Sequence, residues 1–352
     1  MNKLPTIKEI ASRLNVSIST VSRALSNHPR IGLRTKQRVI QMAKELNFEP
    51  NAKAISFKHS KSFIIGVVLP YIREDFFSEA ISGIEAAAMQ NQYTILFGQS
   101  YDNLENEVLI VEAMKKQRVD GLIISLSKET NDYTHLEALE RYNIPVVYFD
   151  RVPPFEKAHK VYCNLIKGTE EIVAWLFSQG CRRIALLNGP DKLQGTKDRF
   201  KGYMNGISRQ KLKVDMRLVE KTDLLKENTH KAIQKLLLLK SKPNAIITFN
   251  EYVHMEAVQY AIKERLDIRN VIFASYANLP ITSFTAMPPT ASLEQYPYLQ
   301  GEKAMKLMIQ IINSRAENTN PSEDFCKEEM PTTLVLHKRN MQRSKFGDWY
   351  QG

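Results

Sequence analysis

The chain has 352 residues, of which 43% are hydrophobic, and its formal net charge is +11. This length suits two or three domains, and the hydrophobic content is enough to build their cores, which excludes a disordered protein. Residues 1–60 contain eleven Lys and Arg and three Glu, so a net +8 lies in one sixth of the chain. Such concentrated positive charge is typical of proteins that neutralise nucleic-acid phosphates, although a merely soluble basic face would give the same composition.

The cysteines and the apolar runs exclude several classes of protein. Cys163, Cys181 and Cys326 are far apart and form no CxxC pattern. We therefore expect no disulfide framework, no metal site and no cofactor. No signal peptide is predicted, and the longest apolar stretch, residues 63–69, is too short to span a bilayer. These features predict a cytoplasmic protein without a membrane partner.

The first patterned segment is a helix-turn-helix. Thr6 precedes a short helix and Glu9 follows three positions later, which is the pattern of a capping box. Asn15 stands at a turn that needs left-handed backbone, and Ser17 can cap a second helix. A third helix, about residues 34–46, closes a small core. Its expected inward-facing residues are Val39, Ile40, Ala43 and Leu46.

The second helix of such a unit can lie in the DNA major groove. Arg23 can donate two parallel hydrogen bonds to guanine, Ser19 can bond a base edge, and Ile18 can touch a thymine methyl group. A solvated surface arginine is the alternative for Arg23. The other expected DNA contacts of this unit are Ser17, which begins the second helix, and the phosphate contacts Thr20, Ser22, Asn27 and Arg30.

A basic segment with one unusual apolar residue follows. Pro50 suits the first turn of a helix, and Phe57 stands among lysines. Phe57 could unstack a base step in the minor groove while its basic neighbours hold phosphates, or it could pack against the next domain. The other expected DNA contacts in this segment are Asn51, Ala54 and Lys58.

From Phe63 onwards, short apolar runs alternate with amphipathic helices. This alternation predicts parallel sheets with right-handed crossovers. The pattern restarts at about Asn164, so we expect two similar sheet units with a ligand cleft beyond the carboxyl ends of their strands. The expected strands are 64–69, 94–97, 121–125, 145–149, 184–187, 245–248 and 271–273.

Several motifs together resemble the lactose-repressor (LacI/GalR) family of bacterial transcription regulators. In the head and hinge they are Thr6-Ile7-Lys8-Glu9-Ile10-Ala11, Val16-Ser17, Ser19-Thr20-Val21-Ser22-Arg23 and Pro50-Asn51-Ala52. A weaker resemblance continues to about residue 340, through Val119-Asp120-Gly121-Leu122-Ile123, Phe149-Asp150-Arg151, Arg199-Phe200-Lys201-Gly202 and Phe249-Asn250-Glu251. The resemblance implies a homodimer on a pseudo-palindromic DNA operator.

The resemblance also implies the fold class and the domains. The fold is a small all-α helix-turn-helix head plus an α/β two-lobed body with parallel sheets, similar to periplasmic binding proteins. The domains are a helix-turn-helix domain (1–49), a hinge helix or linker (50–61), a two-lobed effector-binding and dimerisation domain (62–340) and a tail (341–352). Lobe one would comprise 62–162 and 293–323, and lobe two 163–292 and 324–340.

By the same resemblance, Arg199 reaches a ligand hydroxyl or carboxylate, with an interlobe salt bridge as the alternative. The other expected effector contacts are Phe76, Phe77, Asp150, Arg151, Asn250, Glu251 and Asn278. Three positions depart from the family: Ala277 replaces an acidic residue, Leu224 a stacking aromatic residue and Cys163 an aspartate. Each departure weakens the assignment of a sugar, so a related, anionic or phosphorylated metabolite stays open.

The leading hypothesis is a DNA-binding transcription regulator, a repressor by resemblance, that responds to a small-molecule effector. It is not expected to be an enzyme, because the phosphate-binding, dinucleotide-binding, nucleophile-elbow and zinc-protease motifs are absent. Two alternatives stay open: an enzyme that uses Asp150 and Glu251 as paired carboxylates, and a constitutive DNA-binding protein with a vestigial cleft. The sequence leaves the effector logic and the choice between dimer and tetramer undecided.

Overall fold

The structure, a computed structural model, describes residues 5–49, 61–285, 287–316 and 325–337. The chain divides between Ser62 and Phe63 into two compact units, which we call the head and the body. The expected hinge contacts Asn51, Ala54, Phe57 and Lys58, together with the tail 341–352, lie outside the described residues.

The head contains three helices, α1 (Ile7–Leu14), α2 (Ile18–Leu25) and α3 (Leu33–Glu45). The Thr6 side chain accepts a hydrogen bond from the Glu9 backbone N–H at 3.3 Å, so the first helix is capped as expected. Asn15 has φ 54°, in the left-handed region that the turn requires. The Ser17 side chain accepts from the Thr20 backbone N–H at 3.0 Å and caps α2. Local sequence therefore determines this helix-turn-helix.

The core of the head is small. Its buried side chains are Ile10, Ala11, Val21, Ala24, Val39 and Ala43. Ile40 was expected in this core, but it is 45% exposed. Val39 and Ala43 are four residues apart and define the buried stripe of α3. Ile40 is one residue further along the helix than Val39, so its side chain points about 100° away from this stripe. A core of this size gives the head only marginal stability.

The body alternates strands and helices along the chain. Its helices are α4 (Asp75–Gln90), α5 (Leu104–Lys116), α6 (Thr134–Glu137), α7 (Leu165–Ser178), α8 (Gln194–Arg209), α9 (Lys226–Leu237), α10 (Glu251–Lys263) and α11 (Pro297–Ala316). Its strands are β1 (Ile64–Leu69), β2 (Thr94–Gln99), β3 (Gly121–Ile124), β4 (Val146–Phe149), β5 (His159–Cys163), β6 (Ile184–Asn188), β7 (Val219–Lys221), β8 (Ala245–Thr248), β9 (Ile272–Tyr276), β10 (Ala291–Glu294), β11 (Lys327–Met330) and β12 (Thr333–Leu336).

These strands form two sheets, one in each lobe. The first has the order β11-β5-β4-β3-β1-β2 and the second the order β12-β10-β9-β8-β6-β7. The described strand pairs are parallel, except that β12 is antiparallel to β10. The expected parallel two-lobed body is confirmed, with one antiparallel edge strand added to the second sheet.

The lobe boundaries near the C-terminus differ from the expected ones. Strand β10, up to Glu294, pairs with β9 in the second sheet, so the return to lobe one comes after residue 294. Strand β11 pairs with β5 in the first sheet, where Lys327 lies opposite Lys160, whereas segment 324–340 was expected in lobe two. Strand β11 can pair there because the side of β5 that faces away from β4 would otherwise be an open sheet edge. Since β12 pairs with β10 in the second sheet, the last crossing of the chain between the lobes falls between Met330 and Thr333.

Helices α4 and α11 pack closely on the first sheet because glycines lie where they cross. A Cβ atom on Gly83 would be 2.0 Å from the Tyr298 carbonyl oxygen. A Cβ atom on Gly301 would be 2.0 Å from the Ala80 carbonyl oxygen. Only glycine permits this approach of the two backbones. In the described part of the chain, no helix is long and apolar enough to cross a membrane.

Candidate DNA-binding head and effector cleft

Helix α2 presents its first turn to solvent. Ser17, Ser19 and Arg23 are exposed, and the apolar Ile18 is 46% exposed although Val21 on the same helix is fully buried. The Ser17 Oγ lies 2.8 Å from both the Ser19 Oγ and the Thr20 Oγ1. A helix N-terminus that carries several hydroxyl groups is well suited to phosphate oxygens.

The remaining expected contacts of the head lie after or beside this turn. Ser22 is half-buried on α2, and Asn27 and Arg30 are exposed in the connection to α3. The Asn27 Oδ1 accepts a hydrogen bond from Lys36 Nζ at 2.8 Å, so Asn27 orients a lysine of α3. Across residues 5–49, eight Lys and Arg stand against three Glu. The described head is therefore basic.

A cavity of about 60 Å³, which we call the inner cavity, lies between the two lobes of the body. Several of its lining residues directly follow strands: Asp150 follows β4, Phe249 follows β8 and Ala277 follows β9. This is the strand end at which parallel sheets bind ligands. The expected effector contacts that line it are Phe76, Phe77, Asp150, Arg151, Arg199 and Asn250.

Arg199 of α8 is only 7% exposed and lines the inner cavity. Its guanidinium carbon lies 4.3 Å from the centre of the Phe249 ring and 4.4 Å from that of Tyr276. Its Nη1 donates to the Gly195 carbonyl at 3.1 Å, and its Nε has no hydrogen-bond partner. Within the described residues no carboxylate lies at ion-pair distance from Arg199, so the geometry does not form the alternative interlobe salt bridge. Burial lowers the pKa of this guanidinium.

Arg151 enters the inner cavity from the other lobe. It forms an ion pair with Asp102, and both side chains are largely buried. Its guanidinium carbon lies 5.7 Å from the centre of the Phe77 ring. Asp150, beside it, has φ 54°, and burial raises the pKa of its carboxyl group while Arg151 and Arg199 oppose that shift. The left-handed backbone at a non-glycine residue marks a constrained position at the strand end.

Glu251 and Asn278 were expected to contact the effector, but they do not line the inner cavity. The Glu251 carboxylate is fully buried and accepts hydrogen bonds from the Leu279 backbone N–H and the Ser292 Oγ. Asn278 Nδ2 donates to a Glu294 carboxylate oxygen at 2.7 Å. Both side chains hold the segment after β9 in place. The reading of Asp150 and Glu251 as paired catalytic carboxylates therefore has no geometric support.

The three departures from the family fall at different places. Ala277 lines the inner cavity. Leu224 lines a second, outer cavity of about 730 Å³, which shares Glu74, Asn250 and Tyr252 with the inner one. The buried Cys163 lies where the lobes connect, and its Sγ donates to the Gln295 carbonyl at 3.1 Å.

Sequence reasoning missed several lining residues. They are Glu74, Leu165, Leu193, Gly195, Tyr252 and Gln295. Gln295 follows β10, a strand that the apolar pattern did not reveal, and Gly195 is the second residue of α8. Phe249 belongs to a motif that resembles the family and directly follows an expected strand, and that position could have identified it as a lining residue.

The lobes are also joined by direct hydrogen bonds. Lys128 Nζ of lobe one donates to the Asp223 carbonyl at 2.8 Å, and the Asp75 backbone N–H donates to the Tyr252 hydroxyl at 3.0 Å. Lys192 Nζ of lobe two donates to the Glu129 carbonyl at 3.2 Å. The cavities therefore lie in a cleft whose two sides are in contact.

Comparison with known proteins identifies the family. Residues 62–327 match the family of periplasmic binding proteins and the sugar-binding domain of the LacI family, and residues 6–51 match the bacterial regulatory proteins of the lacI family. The chain belongs to the LacI family. It is a DNA-binding transcription regulator with a sugar-binding type of domain, and the family consists of regulators rather than enzymes.

Individual members of the LacI family match most of the chain. The transcriptional regulator MalR of Streptococcus pneumoniae is 30% identical over 95% of this chain and 99% of its own length. The transcriptional repressor CytR of Escherichia coli is 28% identical over 86% and 89%. The lac repressor dimer bound to operator and the anti-inducer ONPF has the same fold, with a TM-score of 0.80, 22% identity and coverage of 95% and 98%.

Proposed function

We propose that this LacI-family regulator is a repressor that binds a pseudo-palindromic operator as a homodimer, and that a small molecule in the interlobe cleft controls its affinity for DNA. The observation that carries the proposal is that both lobes line the inner cavity, with Arg151 on one side and Arg199 on the other. A ligand in this cavity contacts both lobes, so its affinity depends on how the two lobes are arranged.

The head supplies the DNA contacts in this proposal. Arg23 reads guanine, Ser19 and Ile18 contact base edges, and Ser17, Thr20, Ser22, Asn27 and Arg30 bind phosphates. The Ile18 side chain is exposed and so is available to contact a base edge. Asn51, Ala54, Phe57 and Lys58 would contact the minor groove, with Phe57 as the wedge.

A second copy of the chain would cover an exposed apolar sheet edge of lobe one. Strand β2 is the outermost strand of its sheet, and Leu96 and Phe97 on it are each 38% exposed. Leu109 on the neighbouring helix α5 is also largely exposed. An uncovered edge strand with apolar side chains promotes association. The similar lac repressor structure is that of a dimer, which supports a homodimer here.

Control of DNA binding would follow from thermodynamic linkage. A ligand with different affinities for two lobe arrangements shifts their populations, and operator affinity changes by the same coupling free energy. Hydrogen bonds between the lobes, such as that from Lys128 Nζ to the Asp223 carbonyl, would break or form when the lobes move relative to each other. Effectors in this cleft would be sugars or related metabolites, in keeping with the matched sugar-binding domain.

The test is selection of random DNA duplexes on the full-length protein, followed by measurement of operator affinity with and without metabolites. We expect a two-fold symmetric site and at least one metabolite that changes affinity for it. A duplex with one half-site scrambled is the control for dimeric binding. Enrichment of a single asymmetric site would contradict the homodimer. A constant operator affinity across the metabolites would favour a constitutive DNA-binding protein with a vestigial cleft.

A further inference from the structure

The segments that lead into four neighbouring strands of the second sheet share one edge of that sheet. Strands β7, β6, β8 and β9 are adjacent and mutually parallel, so the segments before them meet at the end opposite the carboxyl ends that line the inner cavity. These segments are 179–183, 210–218, 238–244 and 264–271. We call the surface that they form the basal face.

The basal face is strongly basic. Its 29 residues include nine Lys and Arg and three Asp and Glu, a net charge of +6. The equivalent edge of the first sheet consists of 61–63, 91–93, 117–120 and 138–145. Those 18 residues include three Lys and Arg and two Asp and Glu, a net charge of +1. Two edges of the same architecture differ in this way, so neither the fold nor the overall composition accounts for the charge of the basal face.

Arg183 fixes three of these segments relative to one another. Its Nη2 donates to the Ser241 carbonyl at 2.8 Å and lies 3.3 Å from a carboxylate oxygen of Asp215. Its backbone N–H donates to the Asn244 side-chain oxygen at 3.0 Å. Because one half-buried arginine bridges the segments, the basal face is a preorganised surface, which lowers the entropy cost of binding a partner.

Four lysines of the basal face are exposed and form no ion pair. Asp215 pairs with Arg217, and Asp267 pairs with Arg269. The pKa of Asp267 is lowered chiefly by the hydrogen bond from the Arg269 side chain, and the nearby Lys242 adds to this shift, so the fourth segment belongs to the same surface. Among the described residues, no carboxylate lies at ion-pair distance from the exposed lysines of this face, which are Lys211, Lys213, Lys240 and Lys242.

Apolar side chains are exposed among these lysines. Val214, Met216 and Leu238 are 44%, 55% and 63% exposed. Exposed apolar groups with a charged rim are typical of surfaces that bind proteins. The phosphate oxygens of a nucleic acid would pair with the lysines but would leave these apolar groups uncovered. The combination therefore favours a polypeptide partner that supplies both carboxylates and apolar side chains.

We propose that the basal face binds an acidic polypeptide segment that also carries apolar side chains. The carboxylates of this segment pair with the four exposed lysines, and its apolar side chains cover Val214, Met216 and Leu238. Blocks of acidic residues often serve as interaction tails of proteins. The basal face shares no residue with the head or with the two cavities of the cleft, so this inference does not depend on the proposed function.

The experiment measures the affinity of the full-length protein for a labelled synthetic peptide that repeats the unit Glu-Glu-Leu-Asp. Fluorescence anisotropy at near-physiological salt would compare the wild type with a double variant, Lys213→Glu with Lys242→Glu. We expect this variant to lose at least about tenfold in affinity. The matched control is Arg118→Glu with Arg141→Glu, which makes the same change in net charge at exposed positions on the equivalent edge of the first sheet. The control should retain the affinity of the wild type to within about threefold.

Three further arms identify the partner and the place of binding. A peptide with Ser in place of Leu should bind at least about fivefold more weakly, because it cannot cover the apolar side chains. Non-operator duplex DNA and phosphatidylserine vesicles test the other anionic partners. Hydrogen exchange of the wild type should slow in 210–218 and 238–244 when the leucine peptide is added, and this readout does not depend on any variant.

Several results would overturn the proposal. Equal losses in the two double variants would show that net charge, rather than the basal face, attracts the peptide. Equal binding of the leucine and serine peptides would exclude apolar recognition. The assignment of a polypeptide is also wrong if DNA or vesicles bind more tightly than the peptide and lose this binding in Lys213→Glu with Lys242→Glu. Absence of peptide binding to the wild type, or slowed exchange elsewhere than on the basal face, would remove the site itself.

Discussion

Arg151 and Asp102 form a largely buried ion pair that links the inner cavity to a contact between the lobes. The same oxygen of Asp102 accepts a hydrogen bond from the Lys128 backbone N–H at 2.9 Å. The Lys128 side chain then reaches the Asp223 carbonyl of the other lobe. A ligand that moves Arg151 would therefore disturb Asp102 and, through it, a residue that joins the lobes.

The ion pair gives the first prediction. Asp102→Asn leaves the Arg151 guanidinium without its carboxylate in a buried site, so the free energy of unfolding should fall by about 3 kcal/mol. Urea denaturation of the body would measure this. The control is Asp267→Asn, which removes the partner of the exposed Arg269 and should have little effect. Equal effects of the two substitutions would show that the Arg151–Asp102 pair has no special structural role.

The crossing of α4 and α11 gives the second prediction. Gly83→Ala places a Cβ atom against the Tyr298 carbonyl oxygen, and the two backbones must separate to admit it. We expect a loss of about 1–3 kcal/mol in the free energy of unfolding, which is typical of overpacking. Ser82→Ala, at the exposed neighbouring position, is the control and should be nearly neutral. A Gly83→Ala protein as stable as wild type would mean that the helices adjust without cost.

The pH dependence of stability should report on Glu251. Burial raises the pKa of this carboxyl group to about 7. Between the unfolded pKa of about 4.3 and the folded value, the native state binds more protons than the unfolded state, so stability falls as the pH rises through this interval. Glu251→Gln removes the titrating group and should remove a pH-dependent loss on the order of 3–4 kcal/mol.

The measurement for Glu251 is denaturant unfolding of wild type and Glu251→Gln from pH 4 to pH 8. The comparison of the two proteins is needed because burial lowers the pKa of His254 to about 4, and this group contributes the opposite slope. A difference in stability between the two proteins that does not change with pH would contradict the raised pKa of Glu251.

The proposed reading of bases by α2 gives the fourth prediction. If Arg23 forms the proposed bidentate contact with guanine, Arg23→Ala should relax specificity at one guanine of each half-site by about 1–3 kcal/mol. The measurement is the operator affinity of duplexes that carry each base at that position. Arg13→Ala is a control on α1, where Arg13 pairs with Glu9. A uniform loss of affinity on every duplex would instead make Arg23 a phosphate contact.

The sequence predicts most reliably those structural features that are caused by residues close together in the chain. The caps at Thr6 and Ser17 and the left-handed Asn15 depend on neighbours within three or four residues, so the pattern revealed them. Apolar runs such as Ile64–Leu69 also revealed the buried strands. Strand β11 reads Lys-Glu-Glu-Met and carries no such pattern, because its place is decided by the open edge beside β5.

The cleft shows the same division. Asn250 and Glu251 are consecutive and were expected to serve one ligand, yet Asn250 lines the inner cavity and Glu251 turns inward to Ser292. Asn250 is the extended N-cap residue of α10 and Glu251 is its first helical residue, so the two side chains point in different directions, and the motif alone does not specify which of them faces the cavity. Asp102 was not predicted at all, because its partner Arg151 lies forty-nine positions away.

The family, the helix-turn-helix, the alternation of strands and helices and six residues of the inner cavity could be predicted from the sequence, because these follow from local pattern and from recognisable motifs. It took the packed structure to show that Arg199 lies between two aromatic rings while Arg151 is paired with Asp102, that Glu251 is a structural carboxylate, and that the cleft divides into a small inner and a large outer cavity. These properties depend on which distant residues the packing brings together, and the distance along the chain carries little information about that.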